Sequence, residues 1–219
     1  MGIYSKLLGI AGVVVLATTT VVSASTLSIT GAGATPGFVK GNYSPTTPTG
    51  VVAGDALTLF RSATDGGSID GGLKVDRKSI VTATFLGQDA GATNKFMELV
   101  GFGTLSTKDA VGSSVSFTQG AGFIDFLFKT SLKNIGSITN GGNSTFTGLS
   151  LAFTHLVNGP KSSSVIAMFE DSNKNTTGGD NDNDDMVVSI SVQTVPLPAG
   201  GLLLLTGLGG LAAARRRKA

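Results

Sequence analysis

The sequence predicts an all-β protein, an antiparallel β-sandwich of jelly-roll type, flanked by an N-terminal signal helix and a C-terminal transmembrane helix. Three observations predict the sandwich. Apolar and polar residues alternate with period two in eight separate stretches. Turn-forming spacers such as Asn140-Gly141-Gly142 and Asn158-Gly159-Pro160 divide those stretches. No sustained helical period runs between Ser25 and Thr194.

Taken in order, the chain opens with MGIYSKLLGIAGVVVLATTTVVSAS. One lysine, Lys6, precedes an apolar run from Leu7 to about Ala17, and Val22-Ser23-Ala24 supplies small residues. That layout is a secretory signal peptide over residues 1–24, cleaved between Ala24 and Ser25. Residues 25–194 form the body. Gly31 to Gly54 reads as loop or sheet edge. The strands are expected at Ala56 to Phe60, Ser79 to Leu86, Lys95 to Val100, Ser113 to Thr118, Phe123 to Phe128, Ser150 to Leu156, Ser163 to Glu170 and Met186 to Gln193. In the last, Val188, Ile190 and Val192 share one face while Ser189, Ser191 and Gln193 take the other.

Residues 195–219 read as a separate signal. Pro196 and Pro198 precede an apolar run over 200–214, followed by Arg215, Arg216, Arg217 and Lys218. Fifteen residues with five glycines make a short transmembrane helix, since a relaxed span takes ~20 residues. The basic stop would stay on the cytoplasmic side.

Composition excludes several function classes. The chain has no Cys, which rules out disulfides, thiolate metal sites and a cysteine nucleophile. The formal charge is +2, but setting aside Lys6 and residues 215–218 leaves 11 basic against 14 acidic residues, so the body carries −3. With no basic patch interleaved with aromatics, nucleic acid is not an expected partner.

The order Val195-Pro196-Leu197-Pro198-Ala199, apolar run, Arg-Arg-Arg-Lys resembles the PEP-CTERM sorting signal in its VPLPA variant. The resemblance implies recognition in the inner membrane by an exosortase, a transpeptidase-like membrane enzyme. It further implies removal of the helix and delivery to the cell surface or extracellular matrix of a Gram-negative bacterium, in association with exopolysaccharide and biofilm. Two stretches of the body extend it. ATFLGQDAGATNKF, Ala83 to Phe96, resembles a strand and loop of secreted PEP-CTERM proteins with a Gly-x-Glu-Ala-Gly-Tyr-x-Asn run; here Asp89 stands for the Glu and Ala92 for the Tyr. AMFEDSNKNTTGGDNDNDDMVVSISV resembles the ending of such domains, where an Asp-x-Asp-x-Asp-Asp run enters the last strand.

That ending holds the sharpest candidate for chemistry. Asp180, Asp182, Asp184 and Asp185 place four carboxylates in six residues, with Glu170 and Asp171 upstream. Such a loop suits calcium, which takes six to eight oxygens in irregular geometry. The expected ligands are Asp182, Asp184 and Asp185, with Asp171 reaching in from the preceding strand. The EF-hand template fails: counted from Asp180, the sixth residue is Asp185 and the twelfth is Ser191. The other reading is a structural or solvated, exposed hairpin loop whose Asx side chains bond nearby amides. Calcium would make the protein a calcium-dependent carbohydrate-binding module or adhesin; without it, a non-enzymatic surface protein is expected.

Catalysis has little behind it. His155 is the only histidine, and no Gly-x-Ser-x-Gly elbow accompanies it. Glu98, Asp125 and Glu170 are candidates for a glycosidase carboxylate pair only in the sense that spacing does not exclude them. Gly31-Ala32-Gly33 and Gly101-Phe102-Gly103 open no helix and read as turns, not phosphate loops. Asn42, Asn143 and Asn175 head glycosylation sequons that a bacterial chain matches by chance.

Overall fold

The computed structural model describes residues 24–41, 43–61, 69–132, 136–142, 148–171, 182–195, 207–209 and 215. The strands among them are β1 (Leu27–Thr30), β2 (Thr35–Phe38), β3 (Ala56–Arg61), β4 (Gly72–Val75), β5 (Ser79–Gly87), β6 (Asn94–Glu98) and β7 (Thr104–Ser106). There follow β8 (Ser114–Gln119), β9 (Gly122–Phe123), β10 (Phe126–Thr130), β11 (Ser137–Thr139), β12 (Ser150–Asn158), β13 (Ser163–Glu170) and β14 (Met186–Thr194).

Every pairing is antiparallel. A seven-stranded sheet runs β2-β3-β12-β13-β14-β5-β8, a four-stranded sheet β11-β10-β6-β7 and a three-stranded sheet β1-β4-β9. The long strands β5, β13 and β14 carry the clearest alternation and sit together inside the large sheet, where both neighbours are supplied.

One face of the large sheet and the inward residues of both smaller sheets form a single apolar cluster. It includes Phe85, Phe153, Ala167 and Ile190 from the first, Phe96 and Phe128 from the second, and Leu27 and Leu73 from the third. Burying each large side chain is worth roughly 1.5–3 kcal/mol, so this cluster is the main source of stability. Its aromatic centre is tight: Phe128 stacks on Phe169 at 5.1 Å and on Phe96 edge-on at 5.4 Å. The opposite face of the large sheet is also covered. Val39 and Val51, from the segment between β2 and β3, pack with Leu57, Leu59, Ala152, Met168 and Val187. The Gly31 to Gly54 stretch is therefore a short edge strand followed by a cover for the outer face, not a plain loop.

Several sequence expectations are corrected. Phe123 to Phe128 is not one strand: Gln119 Oε1 accepts the Asp125 N–H at 3.0 Å, which turns the backbone and separates β9 from β10. The strand expected to reach Val100 ends at Glu98, whose carboxylate folds the following residues back on themselves. The flanking helices are not supported. Residues 1–23 lie outside the described residues, and of 200–214 only Gly207–Gly209 are described, helical and exposed. Among the described residues no helix is long and apolar enough to cross a membrane.

The proposed processing sites fall at the margins of the strands. Ser25 is fully buried, its Oγ accepting from Ser79 Oγ at 2.7 Å and its carbonyl from Ser163 Oγ at 2.6 Å. Val195 directly follows β14, while Pro196, Leu197, Pro198, Ala199, Arg216, Arg217 and Lys218 lie outside the described residues.

Candidate functional site

The acidic run sits where β13 ends and β14 begins, beside the Phe169–Met186 pair of the ladder. Asp180 and Asn181 lie outside the described residues. The rest is buried: Asp182, Asn183, Asp184 and Asp185 are 2%, 5%, 1% and 8% exposed, and Glu170 and Asp171 1% and 4%. These residues are therefore not solvated, while their carboxyls do accept backbone N–H groups as a structural loop would. Their hydrogen bonds reach segments remote in sequence, because buried carboxyls need partners that a short hairpin does not supply.

The carboxyls divide into two groups. Asp184 faces the cover segment: its Oδ2 accepts the Ser44 N–H at 2.7 Å, and its carbonyl accepts the Asp89 N–H at 2.8 Å. Burial pushes the Tyr43 phenol up to about 12, against the opposing hydrogen bond with Thr49, and the charges of Asp184 and Asp182 push the same way.

Asp185 belongs to the second group, with Asp171 and Glu170. Its Oδ2 accepts the Asp171 N–H at 2.6 Å, and its carbonyl accepts Asn94 Nδ2 at 3.2 Å. Thr130 Oγ1 donates to Asp171 Oδ2 at 3.3 Å, and the Asn183 N–H donates to Glu170 Oε2 at 3.0 Å. Asn183 holds a left-handed backbone (φ 64°), which lets its Oδ1 accept from Ser150 Oγ at 2.6 Å. Beneath lies the aromatic core, so burial is the largest force raising Asp185, to about 10, followed by the charges of Glu170 and Asp171. Asp171 is raised as well, again chiefly by burial. Burial and the neighbouring carboxyls thus favour the neutral form of Asp185.

Of the four expected calcium ligands, the structure brings Asp171 and Asp185 together and turns Asp184 toward Ser44. Among the described residues no three His, Cys, Asp or Glu side chains form a group that could hold a metal ion. Sequence reasoning missed Asn94, Thr130 and Ser44, the residues that hold the loop in place. One signal did point to Asn94: it is the final residue of the Gly87–Asn94 run that carries the resemblance, and the two resembling stretches touch in the fold through Asn94 to Asp185 and Asp89 to Asp184.

The remaining candidates stay apart. Glu98 is 4% exposed, and burial would raise its carboxyl, yet N–H groups of Gly101, Gly103 and Val100 together hold it below its ordinary range. Asp125 Oδ2 accepts from Gln119 Nε2 at 3.3 Å. His155 lies at a bulge in β12 with φ 53° and its Nε2 is 2.8 Å from Asp55 Oδ2. Glu98 and Asp125 are engaged within their own turns, and His155 reaches across to Asp55 at the start of β3.

No protein-family model matches the chain, and neither a curated protein nor a solved structure matches it.

Proposed function

We propose that the protein is an exported, non-enzymatic component of the cell surface or extracellular matrix. In this reading its three antiparallel sheets form a β-sandwich, the two smaller ones facing the large one. An exosortase-type transpeptidase handles it at the inner membrane through Val195–Ala199, the apolar run 200–214 and the basic stop, and it ends in contact with exopolysaccharide. The observation that carries the reading is the order of those three parts at the end of the chain. They follow the last residue of β14 without an intervening linker, so the signal begins where the strands stop. The test is the mass of the C-terminal peptide in protein recovered from its native host. A terminus or modification at Pro198 or Ala199 supports sorting, whereas an intact Ala219 refutes it.

A second reading, a calcium-dependent carbohydrate-binding module or adhesin, is favoured by the closeness of Asp171 and Asp185 below a burial that disfavours their charge. A cation would relieve that repulsion. Thermal unfolding in saturating calcium and in chelator decides it, because a ligand of the native state must raise Tm.

A further inference from the structure

The outward face of the four-stranded sheet carries an arrangement that costs stability in the isolated protein. Lys129 on β10 stands directly opposite Lys95 on β6 in the antiparallel ladder. Both side chains are exposed, and neither forms an ion pair with any described carboxylate. Like charges facing each other across a strand pair are destabilising. The body as a whole is acidic, so an uncompensated pair of ammonium groups is not a product of a generally basic surface.

The register extends the pair into a row. Lys129 is opposite Ser137 of β11 on its other side, and Lys95 is opposite Ser106 of β7. Hydroxyl, ammonium, ammonium and hydroxyl thus follow one another across all four strands, over roughly 14 Å at the usual strand spacing. The adjacent row is Thr139, Leu127, Met97 and Thr104, and its two central side chains are half-buried apolar groups. Between the lysines and the start of β6 lies a hollow of about 230 Å³, bordered by Thr93, Met97 and Ser131. The Ser131 hydroxyl accepts the Thr93 N–H at 3.0 Å and keeps its own proton to donate.

We propose that this face binds a carboxylate-bearing polysaccharide, with Lys95 and Lys129 clamping a uronate carboxylate and the Leu127–Met97 stripe receiving the C–H face of a neighbouring sugar ring. The charge complementarity is local: two cations need an anion, the flanking hydroxyls suit sugar hydroxyls, and the apolar stripe suits a ring face that an inorganic anion lacks. The inference deepens the exopolysaccharide part of the surface reading, and rests on it for the polymer being a glycan; it uses neither the acidic loop nor calcium.

The experiment measures binding of the full chain to polygalacturonate, with dextran as neutral polymer, galacturonate monomer and inorganic sulfate as free anions, and phosphatidylglycerol vesicles as an anionic surface. Polygalacturonate is expected to bind and dextran not, with affinity falling as salt rises. Lys95→Gln and Lys129→Gln should each weaken it about five- to tenfold. Lys129→Glu should abolish binding while raising Tm, because it converts the repulsive pair into an attractive one. Equal binding of dextran, tighter binding of sulfate or vesicles than of the polymer, retained binding in Lys129→Glu, or an unchanged or lowered Tm in that variant would each overturn the proposal. The C-terminal peptide mass is read independently, so failed binding with a processed terminus removes this site and leaves the sorting reading intact.

Discussion

Asn94 and Asp185 lie 91 residues apart, and the side-chain amide of the first donates to the backbone carbonyl of the second at 3.2 Å. The contact joins the first strand of the small sheet to the entry of β14, the strand that anchors the large one. Asn94 is fully buried, so both groups have exchanged water for each other.

Replacing Asn94 by Leu should therefore destabilise the protein by about 2–3 kcal/mol, because a buried carbonyl loses its donor and Asp171 loses a neighbouring polar group. Urea denaturation at pH 7 measures it. A loss under half a kcal/mol would show that water reaches the site and that the contact is incidental.

The carboxyls next to Asn94 give a pH dependence of definite sign. Asp185 is raised in the fold to about 10, far above its ordinary range, so between those values the folded state holds a proton that the unfolded state has released. Stability then falls as pH rises through neutrality, and it is greatest on the acid side of that window. Asp185→Asn presents a neutral amide of the same shape, whose oxygen still accepts the Asp171 N–H. It should unfold at a higher urea concentration than the wild type at pH 8, and with a flatter pH profile. If the variant is instead less stable, and only when calcium is present, Asp185 is a metal ligand.

Glu98 shows the opposite sign. Its carboxylate accepts N–H groups of Val100, Gly101 and Gly103 at 2.8, 2.7 and 2.6 Å, a geometry that favours the ion despite burial. The stability it contributes is present above its unfolded pKa and lost as pH falls through the lower folded one. Glu98→Gln removes the charge from three bonds and should cost about 2 kcal/mol at pH 7. The approach is close enough that a side chain on Gly101 would meet Glu98 Oε1 at 2.9 Å. Gly101→Ala should therefore lower Tm, whereas Gly91→Ala, with open space around it, should not. Equal effects of the two alanines would refute the close packing of this turn on the Glu98 carboxylate.

The long strands were legible because their alternation is carried by the residues themselves: in β14, Val188, Ile190 and Val192 are fully buried, as period two requires. The three-stranded sheet was not legible. Its strands β1, β4 and β9 have four, four and two residues, too few for a period, and β4 opens on a glycine with φ 148° that no propensity would assign to a strand. The acidic loop was visible as composition, but its meaning depended on partners 40 to 140 residues away, such as Ser44 on Asp184. Charge density alone suggested either water or a metal. The fold brings backbone amides and a threonine to these carboxyls, which a linear reading does not supply. The lysine row was hidden for the same reason, since only register puts Lys95 beside Lys129.

His155 offers a test of strain against contact. Its φ of 53° places a non-glycine residue in the left-handed region, at the point where β12 shifts register between Thr154 and Val157. That conformation costs roughly 1–2 kcal/mol in an L-residue. Against it stands the pair with Asp55, whose side chain and that of His155 are 24% and 40% exposed, and pairs so open to water contribute little. Strain should win: His155→Gly is expected to raise the urea midpoint, and Asp55→Asn to leave it nearly unchanged. If His155→Gly lowers the midpoint as far as Asp55→Asn does, the imidazole–carboxylate pair is what holds the bulge, and the left-handed turn follows from it.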